Sequence, residues 1–438
     1  MSVQFRQEAS DDQRRDPDDE DIMSLLSRAT AGTALFGAAL AGCYQSPHTD
    51  CTIPCGSDGR CPVSFSCNHG YCTQGAACAS DGSADAFDDA ATGMDVDADA
   101  NADPDAPPVA CAWRKLQTDA PRPSARAQAG AAYDAEGNRM LLLNGTGEAG
   151  PLSDLWSLSL DGNPVWTELM PAGPSPVGGL DTFVDQGRLV AFQQAEKPVV
   201  WTLDLAAPNA WNQTQLTGPP NGSTIGAATV LDVPNHRLVL FGGGTEAGLA
   251  TNGTSAVSLA PQIEWGVLMP PIGAPPPPTF RSAAIYDRVG YRMVVFQAAP
   301  TAVWGLLLTT PPAWTALAPS GGGAQHTFLR GPLVYDPHGP RALVFGNDMA
   351  LPGQVVDAGA PDADTTQGTW TLSLSSVDSP TWSQLPTSGV QPDPRTGHAM
   401  IYDVVSDRLI VFGGQVFGVD DGLEYLDDLW TLDLGPCR

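Results

Sequence analysis

Side chains able to act as nucleophiles, acids, bases or metal ligands are unevenly spread along this chain, and their spacing limits what each group can do. Nine cysteines lead the set. Cys51, Cys55, Cys61, Cys67, Cys72 and Cys78 crowd into residues 51–78, a segment too short to bury a core of its own. Disulfides would hold it together. Zinc is the other reading, because His48 and His69 lie close, but the cluster contains no C-x2-C pair. Six cysteines allow many pairings, and the spacing selects none of them. Beyond the cluster, His236 and His338 stand in short turns between an Asp and an Arg, which leaves His326 and His398 to reach a ligand. Arg126, Arg281, Arg330 and Arg395 stand outside those Asp/Arg turns. Together with His398 they form the candidate binding set. No metal site and no cofactor motif follows. The runs Gly242-Gly243-Gly244 and Gly321-Gly322-Gly323 lack the Lys-Ser/Thr and the helix that a phosphate loop needs.

Charge excludes one class of partner. With 49 acidic against 21 basic residues, the net charge of −28 repels a phosphate backbone, so nucleic acid is not expected.

The ninth cysteine stands alone. Residues 1–22 are polar and acidic, whereas Met23 opens MSLLSRATAGTALFGAALAGC, with Arg28 as a short basic start and Ala29 to Ala39 as an apolar run too short to span a bilayer. Leu40-Ala41-Gly42-Cys43 resembles a bacterial lipobox. That resemblance implies translation from Met23, a signal peptide over 23–43 and lipidation of Cys43. Tyr44 in the second mature position implies the outer membrane, with the lipid as the only membrane contact. A disulfide-rich module over 44–78 would follow. Residues 79–110 hold nine aspartates and no basic residue, the composition of a disordered spacer. As such it would reach about 30 Å as a coil and about 100 Å when extended. The alternating Asp95, Asp97, Asp99, Asn101, Asp103 and Asp105 also suggest calcium, although the glycine and the closing Glu of an EF-hand loop are missing.

From residue 111 to 438 the chain repeats, and the repeat decides the fold. Each unit has an apolar residue before Asp, a short turn, then Arg and an apolar strand. The pairs are Asp134/Arg139, Asp185/Arg188, Asp232/Arg237, Asp287/Arg292, Asp336/Arg341 and Asp403/Arg408, with arginine intervals of 49, 49, 55, 49 and 67. Because all six copies carry the pair, it reads as scaffold, and at an exposed hairpin each would contribute about 0–1 kcal/mol. A strand such as Leu155-Trp156-Ser157-Leu158 and a last W-x-x-L strand complete four strands per unit.

These residues resemble the kelch family. Phe241-Gly242-Gly243 and Phe412-Gly413-Gly414, the tyrosines at 133, 286, 335 and 402, and the paired tryptophans carry the likeness. Asn144-Gly145, Gln193-Gln194, Gln297-Ala298 and Gly346-Asn347 depart from the double glycine, which puts the outline of units two and four in question. The resemblance implies an all-β, six-bladed β-propeller. Unit six lacks a fourth strand, while Trp113-Arg114-Lys115-Leu116 stands alone ahead of unit one, so the N-terminal strand should close the ring. Cys111 and Cys437 should then be bonded.

Within that family, copper radical oxidases need a free cysteine beside a tyrosine, and here the bridge would use both propeller cysteines. Sialic-acid mutarotase-like enzymes use channel-face arginines and acids, so Arg126, Arg281, Arg330, Arg395 and His398 would have to converge on the channel. Two functions follow from this. One is a monomeric, envelope-anchored binding module for a protein or glycan partner; the other is a carbohydrate-active enzyme. Binding is favoured, with specificity in the loops of blades three and five, where the insert Val355 to Thr366 should be mobile.

Overall fold

The computed structural model describes residues 66–68, 71–73 and 111–437, apart from 219–223, 245–248, 267, 280–281, 299–300, 322–331, 347–367, 377–378 and 418–421. The anchor segment with Cys43, the acidic spacer and the insert Val355 to Thr366 lie outside the described residues, as do Cys51, Cys55, Cys61 and Cys78. In the cysteine module a hairpin pairs Ser66–Asn68 with Tyr71–Thr73 and sets the backbones of Cys67 and Cys72 opposite each other. Among the described residues no helix is long and apolar enough to cross a membrane.

From residue 111 the described residues form six blades of four antiparallel strands, five in the order of the repeat and the sixth completed by Cys111–Leu116, beside which a short parallel fifth strand is added. The second strand of each blade is a near-continuous apolar run, such as Met140-Leu141-Leu142-Leu143 or Leu189-Val190-Ala191-Phe192, and it is buried on both faces. The outermost strands alternate instead. In Val165–Leu169 and Thr381–Gln384 only the tryptophan is buried. Units two and four keep all four strands despite lacking the double glycine.

Burial on both faces has one geometric solution here: each blade packs on the next. The apolar residues accordingly divide into six clusters, each shared by two successive blades, and one of them joins blade six to blade one through Phe412, Leu429, Trp156 and Trp166. The same wedge recurs between blades. The outer-strand tryptophan of one blade packs on the phenylalanine that follows the preceding blade's apolar strand, with centroids 5.1 Å apart for Trp166 and Phe412, 4.8 Å for Trp314 and Phe241, and 4.7 Å for Trp113 and Phe345.

Closure follows the expected route. Cys111–Leu116 pairs antiparallel with Leu423–Asp433 as the fourth strand of blade six, with Trp113 opposite Leu432. Cys111 is bonded to Cys437 across a Cα separation of 5.2 Å. The proline-rich connectors then cover what the blades leave open. Before entering the next blade, each of several connectors pairs in parallel with that blade's outer strand: Ala172 with Ala210, Ile272 with Ala313, Ser320 with Thr381, and Thr387–Ser388 with Cys111 and Ala112. Sheet edges that would otherwise recruit another chain are thereby blunted.

One expectation is corrected. The Asp/Arg pairs are not exposed surface pairs: the aspartate side chains are 0–3% exposed. Arg Nε meets Asp Oδ2 at 2.7–2.9 Å in five blades, and in blade two Arg188 Nη2 meets Asp185 at 3.4 Å. They also tie blades together. Arg139, Arg188 and Arg408 donate to the carbonyls of Leu205, Leu259 and Leu160 in the following blade. The sequence hid this burial because the turn itself is polar, and only the neighbouring blade closes over it.

Candidate functional site

The inner strands line a central channel, and their two ends differ chemically. Where they finish, a cavity of about 360 Å³ is walled by Tyr133, Tyr286, Tyr335 and Tyr402 with Phe183 and Arg288. These tyrosines are seam residues. Tyr335 donates to Asp287 of the preceding blade at 3.0 Å and Tyr133 to Asp403 at 3.3 Å. In blade three, where Leu231 takes the tyrosine's place, His236 Nδ1 approaches Asp185 Oδ1 at 2.8 Å instead. Burial, and then the facing Asp403 carboxylate, push the Tyr133 hydroxyl up to about 12. Asp336, His338 and Asp407 offer ligand atoms within 4.8 Å of one another on this side. That donor set is already engaged: His338 Nδ1 lies 2.7 Å from the Tyr402 hydroxyl, which donates to Asp407 at 2.6 Å, and Asp336 holds Arg341 at 2.9 Å.

At the opposite mouth, where the inner strands begin, a cleft of about 390 Å³ is lined by Gln128, Gly179, Leu180, Asp181, Gln194, Pro332 and His398. It continues inward past Thr182, Thr229 and Met400. His398 is buried at 3% exposure, with both ring nitrogens covered and the Arg395 backbone as its hydrogen-bonding neighbour. Its ring stands edge-on to Phe345 at 5.6 Å. Burial, aided by the nearby Arg395 cation, pushes its pKa down to about 3, so the imidazole is neutral. Asp181 is half-buried, and burial pushes its carboxyl up to about 6 against the opposing hydrogen bonds of Thr229 and Gln194.

Gln194 fixes the orientation of this acid. Its Oε1 accepts from the Gly226 amide at 2.7 Å, and its Nε2 donates to the Ala227 carbonyl at 2.8 Å and to Asp181 Oδ2 at 2.5 Å. The amide therefore has one orientation. Gln194 is half of the Gln193-Gln194 pair that replaces the double glycine, so the departure from the repeat marks the site. Gln128 lines the same cleft in a left-handed conformation, φ +58°.

The predicted arginines are not found together at this mouth. Arg126 and Arg395 stand eight residues before the inner-strand aspartates, whereas Arg281 and Arg330 stand six before and lie, like His326, outside the described residues. Arg126 and Arg395 are each 1% exposed and do not line the cleft. Arg126 makes a forked pair with Asp154 at 2.6 and 2.8 Å, and Arg395 makes one with Asp428 at 2.5 and 3.1 Å. Trp156 and Trp430 donate to the same carboxylates at 2.7 Å. The Arg126 clamp also joins blades six and one, because Arg126 O accepts from the Gly414 amide, whereas Arg395 donates within blade six, to the Gly413 carbonyl. A side chain at Gly413 would stand 2.7 Å from the Arg126 carbonyl, so the double glycine of blade six is a close approach as well as a turn. Of the predicted set, His398 alone is placed in the cleft among the described residues. Asp181 and Gln194 were missed.

No family model matches the chain. Adagio-like protein 1 from Oryza sativa subsp. japonica is 26% identical over 332 residues, which is 70% of this chain and 50% of that protein. The chain thus spans about half the length of this curated relative. Among solved structures, YjhT superposes with a TM-score of 0.47 at 14% identity, covering 70% of this chain and 95% of that one. A structural genomics protein of unknown function from Bacteroides thetaiotaomicron gives a TM-score of 0.43 at 11% identity, over 73% of this chain and 75% of the other. Six blades with the Asp-turn-Arg hairpin in each, Phe-Gly-Gly after the apolar strand in two, and a ring closed by its own N-terminal strand make this chain a kelch-like β-propeller.

Proposed function

We propose that the chain is a binding module that takes a glycan or protein partner at the Asp181/His398 mouth of its propeller, held at a bacterial cell envelope by a lipid on Cys43. One observation carries the reading. A cleft wall that holds a half-buried carboxylate whose partners are all neutral is costly for the free protein, and a ligand that supplies a countercharge would remove that cost. The carboxylates of the arginine clamps show the opposite pattern, each held by a guanidinium and an indole.

Asp181→Asn should weaken partner capture on a glycan array or by pull-down tenfold or more without lowering the melting temperature. The sign of the stability effect follows from the raised pKa. The folded state disfavours the charged carboxylate, so stability is lost as pH rises through about 6, and the amide avoids this loss. Unchanged capture by Asp181→Asn would remove the cleft from the function.

The anchor is tested separately. Mass spectrometry of the mature N-terminal peptide should find a diacylglycerol-modified Cys43, and Cys43→Ala should release the protein from the membrane fraction. An unmodified Cys43 in a soluble product would refute the anchor and leave the cleft untouched.

A further inference from the structure

The buried aspartates of the blade hairpins, and the two held by the arginine clamps, are matched by a cation. Asp134, Asp232, Asp287, Asp336 and Asp403 each meet an arginine Nε within 2.9 Å, and Asp154 and Asp428 are held by Arg126 and Arg395. Asp181 differs. Its partners are the neutral amide of Gln194 and the hydroxyl of Thr229, and it faces a cleft. A carboxylate withdrawn from water without a countercharge favours any ligand that brings one.

The surroundings narrow the ligand further. Pro332 and Leu333 from blade five, Gly130 and Ala131 from blade one and Thr229 from blade three bring no charge, which leaves His398 as the other titratable group among the described lining residues. A neutral imidazole whose nitrogens are covered does not repel a cation, and it presents an uncharged wall to the cleft. Gln128 adds an exposed amide at the rim. The nearby Arg395 cation is buried and paired with Asp428, and it does not line the cleft. Anionic ligands meet Asp181 and the chain's net charge of −28, so both local and long-range fields oppose them.

Building on the binding role proposed above, we propose that the cleft recognises a primary ammonium on a hydroxyl-rich ligand, an amino sugar in its unacylated form, with Asp181 on the ammonium and the rim amide of Gln128 on the hydroxyls. Gln194 acts as a positioning residue that holds the carboxylate toward the cleft. Because Asp181 ionises near pH 6 while His398 stays neutral, affinity for the ammonium rises between pH 5 and pH 7.

The test is calorimetric titration of the full chain with three probes: a glucosamine trimer, its N-acetylated counterpart and a uronic-acid trimer. At pH 7 the glucosamine trimer should bind at least tenfold more tightly than the N-acetylated one, and the uronate should not bind. At pH 5 the advantage should shrink, and Asp181→Asn should abolish it while leaving weak binding of the N-acetylated trimer. Equal or tighter binding of the N-acetylated or uronate trimer, or an advantage that survives Asp181→Asn, would overturn the assignment. So would a lysine-bearing peptide that outcompetes the amino sugar. If the trimers fail while another glycan or protein is captured and Gln128→Ala weakens that capture, the ammonium assignment falls and the binding role stands. If nothing is captured, both fall.

Discussion

Replacing Cys111 and Cys437 together with alanine is expected to lower the stability of the propeller by up to about 5 kcal/mol, which would show as a denaturation midpoint shifted well below that of the oxidised protein. The bridge spans 326 residues, and in the chain-entropy model a cross-link restricts the unfolded chain more as the enclosed loop lengthens. Its location adds to the effect. Cys111 opens the strand that completes blade six, and Cys437 follows that blade's third strand, so the bond keeps the ring-closing element beside its partner after local opening. Without the bond, Cys111–Leu116 must find its place as a sixfold ring's last piece from a free end. Reductant should reproduce the double substitution, and it should do nothing further to the double variant. A midpoint unmoved by either treatment would show that the hydrogen-bonded strand alone holds the ring shut.

The second large effect is expected at Arg395. Arg395→Ala should destabilise the protein by about 3 kcal/mol, whereas Arg122→Ala should cost less than about 1 kcal/mol, although the two arginines pair with the adjacent residues Asp428 and Asp427. Burial separates the two cases. Arg122 and Asp427 are 46% and 43% exposed, whereas the Arg395 and Asp428 side chains are 1% and 15% exposed. Burial alone would raise the Asp428 pKa, but the hydrogen bonds from Arg395 and Trp430 hold it below the usual carboxylate range. This contribution is present above that range and is lost as pH falls below it, so Arg395→Ala should also flatten the acid limb of the stability curve. Chemical denaturation at pH 7 and pH 3 checks both statements. Equal losses for the two arginine variants would mean that Asp428 finds water when its partner leaves.

The fold was legible because its signal is local and repeated. The aspartate, the turn, the arginine and the apolar strand fall within about a dozen residues, and each recurs often enough to give the blade count; the stranded Trp113 segment then leaves one way to close the ring. The cleft was less legible, because its parts come from blades one, two, three, five and six and meet only after closure. Grouping Arg126, Arg281, Arg330 and Arg395 by residue type concealed their different distances from the inner-strand aspartates. The usable signal was Gln193-Gln194. It reads as an imperfect turn until Gln194 is seen holding Asp181, after which a broken repeat in one blade becomes a mark of a task that blade alone performs.

The place where the chain enters the ring also has a mechanical consequence. A pull on the residues preceding Cys111 would, without the bridge, peel Cys111–Leu116 away from Leu423–Asp433 one backbone pair at a time, starting at Ala112 and Asp433. Peeling is the weakest way to load a sheet, because each bond bears the whole force in turn. The Cys111–Cys437 bond sits at that first pair, so the tension divides between two neighbouring strands that are drawn in the same direction. To yield, both must slide together out of blade six, shearing many backbone bonds and dragging Trp113 and Trp430 through their packing. A tether attached at this point pulls on the ring where it is hardest to open.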